Sequence, residues 1–481
     1  MRRKFVSYSA SLLILLAPLG SDSYAEALAT SPGLLTSPCR LPGVTRPARC
    51  GALSLLENPK SPDGRRLAIH FAVIPASSGK ALSDPIVVLM GGPGEAAIGS
   101  APMYIEKLGP LLSDRDLLLV DQRGAGQSAP LECHLFSPAD PAASVRDYFP
   151  PAAVSRCLRE LEKTADLTRY TFPYFAIDLE RVRCALGYGR LNLFAGSYGT
   201  RAAQAYLRQY PQSVRSALLG SPVPIDAGGP LHFARTEEAA LDHMFENCAA
   251  EAACRAAFPN LREDFQQLVR LLDAGEVRVH VSGASDPVVL SRGRLAEWVR
   301  SELYRPHDAA ALPWFLHRAS AGDWSPIIEN MLSDAREAEQ DLSFGLFFSI
   351  TCSEDVAFVV EKDVAAATGN SFLGDYRMRQ QQAACSVWPR ARLPKGYRQP
   401  VRSSSPTLFV TGDLDGGTPL WFTDRVAQGF SNHVTIVVHG QGHTEWNSCV
   451  ARKYEQLVRT SSIRGLNSPS CPPIPLPPFK I

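Results

Sequence analysis

The chain has 481 residues, of which 45% are hydrophobic, 9% aromatic and 20% charged, a composition typical of globular proteins. The 49 Lys and Arg residues nearly balance the 48 Asp and Glu residues, which argues against a nucleic-acid-binding protein and against the highly charged disordered class. This length predicts two or three domains, or one large fold that carries an insertion.

The N-terminus has the pattern of an export signal. Basic Arg2, Arg3 and Lys4 precede an apolar stretch at residues 11–20, and small residues follow it. The alternative is a membrane anchor, but about ten apolar residues are too few to cross a bilayer, which needs roughly 20. We therefore predict that residues 1–25 are a cleaved signal peptide and that the protein is exported, periplasmic or extracellular, without stable membrane insertion.

Eleven cysteines also favour an oxidising compartment. In sequence order they form five neighbouring pairs, although sequence alone does not determine connectivity. The pairs are Cys39–Cys50, Cys133–Cys157, Cys248–Cys254, Cys352–Cys385 and Cys449–Cys471. Cys184 is left over, within a helical pattern, and we predict a buried thiol. No C-x-x-C or H-E-x-x-H pattern occurs, so we predict neither a metal site nor a cofactor.

Residues 46–230 alternate between strand and helix patterns. A hairpin is predicted from two extended runs at residues 51–56 and 67–75, with Pro-Asp-Gly between them. Short apolar strands then end in Gly-rich turns, and helical patterns lie among them. The predicted strands are residues 86–90, 117–120, 191–194 and 217–219, and the predicted helices are 176–187 and 200–210. This alternation predicts an α/β fold with a mostly parallel, buried sheet.

The pattern changes at residues 231–395, where we predict an inserted, mainly helical cap. Its predicted helices are residues 236–257, 260–274, 292–304 and 325–340. Strand patterns resume at residues 407–410 and 434–438, so residues 396–468 are predicted to complete the core. A Pro-rich tail follows at residues 469–481.

The segment Ala-Gly-Ser-Tyr-Gly at residues 195–199 follows a predicted strand and precedes a predicted helix. Such a sharp turn presents a serine as a nucleophile and needs small residues on either side of it. Ala195 stands where the G-x-S-x-G pattern has its first glycine. We predict that Ser197 is a nucleophile; the alternative is an ordinary Gly-rich turn.

A second glycine-rich turn, Met-Gly-Gly-Pro-Gly at residues 90–94, also follows a predicted strand. Backbone N–H groups in such a turn can stabilise the oxyanion that forms during acyl transfer. We predict that the N–H groups of Gly92 and Tyr198 form this oxyanion hole. The alternative is a tight turn that only reverses the chain.

Two further residues complete a predicted catalytic triad. Asp415 follows the strand at residues 407–410, and His443 lies in a Gly-Gln-Gly-His loop after the strand at residues 434–438. Asp413 and His439 are their nearest competitors. The order Ser…Asp…His is that of α/β hydrolases. In this prediction His443 deprotonates Ser197 and Asp415 orients the imidazole.

These motifs together resemble the prolyl iminopeptidase and tripeptidyl aminopeptidase family. They are Gly-Gly-Pro-Gly at residues 91–94, Asp-Gln-Arg-Gly-Ala-Gly-Gln-Ser at 121–128, Gly-Ser-Tyr-Gly-Thr at 196–200, Asp-Gly-Gly-Thr-Pro at 415–419, and Gly442 with His443. The last two are similar to the secreted, tripeptidyl-aminopeptidase-like (TAP-like) branch. The resemblance covers roughly residues 46–225 and 400–455, and implies an α/β-hydrolase core, a helical cap and removal of residues from peptide N-termini. Many members have His where this chain has Met90.

The resemblance also implies acidic cap residues that hold the free ammonium of a peptide. Glu354, next to Asp355 and near Cys352, is our candidate, and Glu237 and Glu238 are weaker ones. The alternative is a solvated acidic pair. We interpret Asp121 and Arg123 as structural residues that brace the turn after their strand.

The leading prediction is therefore a secreted serine aminopeptidase whose partner is a peptide substrate. A carboxylesterase acting on small esters is the alternative, because the same triad serves both reactions. A non-catalytic binding protein with this fold is a third, weaker hypothesis, because such proteins usually lose the nucleophile or the histidine. No nucleic-acid partner is predicted.

Overall fold

Eleven strands are present in this computed structural model, which describes residues 36–136, 140–369, 371–444, 446–467 and 470–481. The predicted signal peptide at residues 1–25 lies outside the described residues. The strands are β1 (Ser37–Cys39), β2 (Ala48–Leu56), β3 (Arg66–Ile74), β4 (Ile86–Leu89), β5 (Leu117–Val120), β6 (Leu191–Gly196), β7 (Val214–Gly220), β8 (Arg278–Val279), β9 (Val288–Val289), β10 (Thr407–Gly412) and β11 (His433–Val438).

Nine of these strands form one sheet in the order β1-β2-β3-β5-β4-β6-β7-β10-β11. The pairings from β1 to β5 are antiparallel, and those from β5 through β4 to β11 are parallel. The side chains of β4 and β5 are all buried because helices cover both faces of this part of the sheet. The predicted α/β class with a mostly parallel sheet is confirmed.

The helices lie on the two faces of the sheet and in the long segment between β7 and β10. In chain order they are α1 (Ala101–Leu108), α2 (Ala143–Arg146), α3 (Pro151–Leu161), α4 (Phe172–Ala185), α5 (Gly199–Gln209), α6 (Phe233–Ala250), α7 (Ala252–Ala257), α8 (Leu261–Asp273), α9 (Arg292–Glu302), α10 (Pro306–Ala309), α11 (Leu312–Ser320), α12 (Ser325–Asp341), α13 (Phe344–Glu354), α14 (Glu361–Thr368), α15 (Tyr376–Val387), α16 (Leu420–Ala427) and α17 (Ser448–Thr460).

The segment between β7 and β10, which we call the helical insertion, contains α6 to α15 and the small β8–β9 hairpin. The single helix expected at residues 236–257 is wrong, because the chain leaves helical geometry at Glu251, where ψ is 124°. The Cys248–Cys254 disulfide spans that break. The insertion has its own hydrophobic cluster, which also takes up Val145 of α2.

Five disulfides join the cysteines in the predicted neighbouring pairs. Cys184 is free and lies near the end of α4, as expected, but it is partly exposed rather than buried. Its Sγ lies beside the partly buried ion pair of Arg183 and Glu180 near the end of this helix. None of the described helices is both long enough and apolar enough to span a membrane.

Candidate active site

Ser197 lies at the sharp turn between β6 and α5, with a φ of 52°. This left-handed backbone conformation is uncommon for a residue with a side chain, and it pushes the hydroxyl out of the turn. A Cβ on Gly199 would lie 2.0 Å from the Leu89 carbonyl oxygen, so only glycine fits there. Ala195, by contrast, is a buried residue of β6, which explains why alanine is acceptable at that position.

The side chains of Ser197, His443 and Asp415 form a hydrogen-bonded chain. The Ser197 Oγ lies 2.9 Å from the His443 Nε2, and the His443 Nδ1 lies 3.0 Å from both Asp415 carboxylate oxygens. The three residues follow β6, β10 and β11, whose carboxyl ends meet at one edge of the sheet. This geometry is what acyl transfer by a serine nucleophile requires.

The Asp415 carboxylate is buried and held in place by Thr418. The Thr418 N–H donates to Oδ1 at 2.7 Å and its hydroxyl donates to Oδ2 at 2.6 Å. Burial alone would raise the pKa of Asp415, but the charge of His443 and these hydrogen bonds outweigh it and lower the pKa. The carboxylate is therefore ionised at neutral pH and can stabilise a protonated imidazole.

A second Asp–His pair lies close by in sequence. The His439 Nδ1 is 2.8 Å from the Asp413 Oδ2, and both side chains are exposed. The structure therefore separates the competitors: Asp415 and His443 meet Ser197, whereas Asp413 and His439 form a surface ion pair.

Tyr304, from the helical insertion, covers His443. Its ring stacks on the imidazole with centroids 5.1 Å apart and an interplanar angle of 23°, and its carbonyl accepts the His443 N–H at 2.8 Å. A Cβ on Gly417 or on Gly442 would lie 2.4 Å from a Tyr304 atom, so both glycines make room for this residue. Arg300 lies on a Tyr304 ring face, 4.7 Å from its centroid.

We expect Tyr304→Phe to keep near-parental activity and Tyr304→Ala to lower kcat by about tenfold to a hundredfold. Phenylalanine preserves the stacked ring, whereas alanine frees the imidazole, and small misplacements of a catalytic group are costly. Steady-state kinetics on a chromogenic substrate, with thermal unfolding as the folding control, measures this. Equal losses in both variants would assign the effect to the hydroxyl instead of the ring.

The predicted oxyanion residues flank Ser197. Gly92 lies in the turn after β4 with a φ of 99°, and Tyr198 directly follows the serine. Among the described groups, neither the Gly92 N–H nor the Tyr198 N–H donates a hydrogen bond to another protein atom. Both line the same cavity as Ser197, so both N–H groups are available to a ligand oxygen.

This cavity has a volume of about 1050 Å³ and lies between the sheet edge and the helical insertion. Its walls combine aromatic side chains with charged ones. From the insertion it is lined by Phe233, Arg300, Tyr304, Arg305, Phe347 and Arg377, and from the core by Glu95, Glu106 and Lys107. Within the described part of the chain, no group of three or more His, Cys, Asp or Glu side chains is placed to hold a metal ion.

Glu354 does not line this cavity, which corrects its predicted role as ammonium anchor. It is fully buried, and its carboxylate accepts hydrogen bonds from the Phe172 N–H, at 2.8 Å, and the Tyr397 hydroxyl, at 2.5 Å. Burial raises its pKa to about 7 despite the opposing charge of Arg201. Glu354 ends α13, whose residues are all buried, and its carboxylate is held in the core by these donors and by Arg201.

The two weaker candidates are also placed outside the cavity lining. Glu238 accepts the Phe372 N–H at 2.6 Å within the insertion. Glu237 is buried behind Asp415, and a Cβ on Gly416 would lie 2.5 Å from its Oε2. Burial raises the pKa of Glu237 to about 8.

Asp121 and Arg123 have contacts that match the structural interpretation. Asp121 accepts the N–H groups of Ile98 and Gln127, each at 2.9 Å. Arg123 pairs with buried Asp178 at 2.6 and 2.7 Å.

Three residues at the site, Tyr304, Thr418 and Glu95, were not predicted from the sequence. Thr418 lies in the Asp-Gly-Gly-Thr-Pro motif, so its place three residues after Asp415 is a local signal for a capping hydroxyl. Glu95 directly follows the Gly-Gly-Pro-Gly turn, which is also a local signal. Tyr304 has none, because it reaches the site only through the packing of the insertion.

Two family models match the sequence, one described as an α/β-hydrolase fold over residues 84–253 and one as a TAP-like protein over residues 370–469. The serine protease Hip1 of Mycobacterium tuberculosis is 31% identical over 482 residues, covering 90% of this chain and 89% of the relative. The tripeptidyl aminopeptidase of Streptomyces lividans is 26% identical over 417 residues, covering 78% and 74%. A solved proline iminopeptidase structure from Mycobacterium smegmatis is 17% identical, with a TM-score of 0.41 and coverage of 84% and 98%.

Proposed function

The chain belongs to the α/β-hydrolase family with a TAP-like C-terminal region, and from this premise we propose that it is an exported serine aminopeptidase. The observation that carries the proposal is the hydrogen-bonded chain from Ser197 through His443 to Asp415 at the wall of a large cavity. The names of the relatives, a serine protease and a tripeptidyl aminopeptidase, support peptides as the substrate class.

In the proposed mechanism, the Ser197 Oγ attacks the carbonyl carbon of a peptide bond while the His443 Nε2 takes the hydroxyl proton. The imidazolium then gives that proton to the departing amine, leaving an acyl group on Ser197. Water, deprotonated by His443, attacks this ester and releases the acyl product. Asp415 holds the imidazole in the required tautomer and stabilises its charged form.

The Gly92 and Tyr198 N–H groups would stabilise the oxyanion in both steps. Their positions beside Ser197 support this role, as does the start of α5 at Gly199, because the positive end of a helix favours a negative charge. Removing one such donor typically costs about 10²- to 10³-fold in kcat.

The cavity favours a peptide over a small ester. Its volume of about 1050 Å³ slightly exceeds the range for small-molecule sites, which is roughly 300–1,000 Å³. Carboxylesterase activity remains the alternative, because an ester would be cleaved by the same residues.

Export is supported by the disulfides. Five of them, distributed over core and insertion, would not persist in a reducing cytosol. The signal-like N-terminal segment also supports export.

A substrate panel tests this function. We expect the purified protein to cleave aminoacyl or peptidyl p-nitroanilides with free N-termini, and to cleave their N-acetylated forms at least about tenfold more slowly in kcat/KM. The physical reason is that an aminopeptidase site stabilises the substrate ammonium. Short-chain p-nitrophenyl esters run in parallel are the comparison, and ester hydrolysis without any amide hydrolysis would establish the carboxylesterase instead.

A further inference from the structure

Glu95 directly follows the Gly-Gly-Pro-Gly turn and forms part of the cavity wall. Its Oε2 accepts a hydrogen bond of 3.2 Å from the Gly91 N–H, so the side chain folds back over the turn. From the insertion, the Ser343 N–H donates to the Gly94 carbonyl oxygen at 3.1 Å. These contacts on both sides of the turn hold a carboxylate at a defined position in the cavity.

This carboxylate lies close to the proposed nucleophile. A Cβ built on Gly91 would be 3.1 Å from the Ser197 Cβ and 3.6 Å from the Glu95 Oε2. Because both distances start from the same point, the Ser197 Cβ and the Glu95 Oε2 are at most about 7 Å apart.

Glu95 lacks a cationic partner within the described part of the protein, where no Lys, Arg or His nitrogen forms an ion pair with it at 4.0 Å or less. Burial and the nearby charge of Asp341 raise the pKa of Glu95, and the Gly91 N–H and the charges of His443 and Arg305 only partly oppose this. A half-buried carboxylate without a cation in direct contact is costly. A cationic ligand group in the cavity would relieve that cost.

Glu106 is the other acidic residue among those described that line the cavity, but it lies exposed on α1. Glu95 is thus the acidic side chain placed beside Ser197. Glu106 provides a matched control, since it has the same charge in the same cavity.

The distance to Ser197 indicates which ammonium would fit. In an N-terminal residue, the ammonium nitrogen and the carbonyl carbon are two bonds apart, or about 2.5 Å. In a tripeptide, the ammonium lies two residues further away from the attacked carbonyl, which adds about 7 Å in an extended chain. A carboxylate this near to Ser197 matches the ammonium of the residue that is itself acylated.

We infer that Glu95 binds the free α-ammonium of the residue that acylates Ser197, so that the enzyme releases one N-terminal residue at a time. This inference rests on the proposed aminopeptidase function. An unneutralised Glu95 charge also lies at the Gly91 N–H, one residue before the proposed oxyanion donor Gly92, where it opposes the developing oxyanion. An N-blocked substrate therefore lacks the attraction between its ammonium and Glu95. It also leaves the repulsion between the Glu95 carboxylate and the oxyanion in place.

The test compares the parent with Glu95→Gln on four probes: alanine p-nitroanilide, its N-acetyl form, trialanine p-nitroanilide and p-nitrophenyl acetate. We expect the parent to prefer alanine p-nitroanilide. Glu95→Gln should lower kcat/KM for this probe by about 10- to 100-fold, mainly through KM, because it removes a charge-assisted hydrogen bond. Hydrolysis of p-nitrophenyl acetate, which has no ammonium, should stay at the parental rate or rise, which also shows that the variant is folded. Glu106→Gln should not show this selective loss on alanine p-nitroanilide.

The inference would be overturned by an equal loss on all probes, by a loss in Glu237→Gln in place of Glu95→Gln, or by faster release of trialanine than of alanine. If the parent cleaves free anilides and Glu95→Gln leaves them unchanged, this inference alone fails. If the parent cleaves the ester and no anilide, the proposed aminopeptidase function fails with it.

Discussion

Ser197→Ala is expected to lower kcat for amide hydrolysis by about 10⁴- to 10⁶-fold, because the variant has no oxygen to attack the carbonyl. Alanine and serine are similar in size and differ little in the cost of the left-handed φ of 52°. The fold should therefore be preserved. Initial rates on the preferred anilide, together with circular dichroism and the unfolding midpoint, measure both parts of this prediction.

A serine-directed phosphonate provides the second measurement, since it labels a serine that a base has activated. We expect the label on Ser197, identified by peptide mass spectrometry, and none in the Ser197→Ala variant. Ser221 is a suitable control, because it lines the same cavity but its Oγ accepts the Thr444 N–H at 3.0 Å. Labelling of Ser221 would contradict the assignment of the nucleophile.

The second large effect is expected for His443→Ala, with a loss in kcat similar to that of Ser197→Ala. Without the imidazole, no group is positioned to take the Ser197 proton or to protonate the departing amine. Because the residues of such a triad act as a unit, the double variant Ser197→Ala/His443→Ala should lose little more than either single variant. Single-turnover and steady-state rates of the three variants test this.

The neighbouring Asp–His pair gives this prediction an internal control. His439→Ala removes an imidazole that also pairs with an aspartate, but on the surface and away from Ser197. Its activity should stay within about twofold of the parent, as is usual for exposed residues that do not touch the substrate. An inactive His439→Ala with an active His443→Ala would transfer the role of general base to His439.

Local sequence signals located the residues that the structure brings together. Ser197, Asp415 and His443 each follow an apolar strand, and neighbouring parallel strands place their carboxyl ends at one edge. Each position could therefore be predicted from a few adjacent residues without knowledge of the insertion. The choice of Asp415 over Asp413 matches the geometry, in which Asp415 is the carboxylate bonded to His443.

The helices of the insertion were harder to predict, because the burial of a helix by its tertiary neighbours decides whether its sequence shows an amphipathic pattern. The segment Phe344–Glu354 is buried on every side, so it shows no alternation between apolar and polar faces. Without that periodicity the sequence does not distinguish a buried helix from a strand. The same burial explains why Glu354 does not reach the cavity. Its carboxylate accepts hydrogen bonds in the core from the Phe172 N–H, the Tyr397 hydroxyl and Arg201.

The sequence by itself determined the α/β core and the three side chains of the candidate triad, and it favoured the neighbouring cysteine pairs, whose connectivity the structure then supplied. These depend on short apolar strands, on glycines at tight turns and on neighbours in sequence, which are local properties of the chain. The tertiary structure alone decided which charges reach the cavity and what holds His443. Tyr304 stacks on an imidazole 139 positions later in the chain, and Glu95, rather than Glu354, lies beside Ser197. Such contacts arise from how the insertion packs on the sheet edge, and no local pattern of residues encodes that packing.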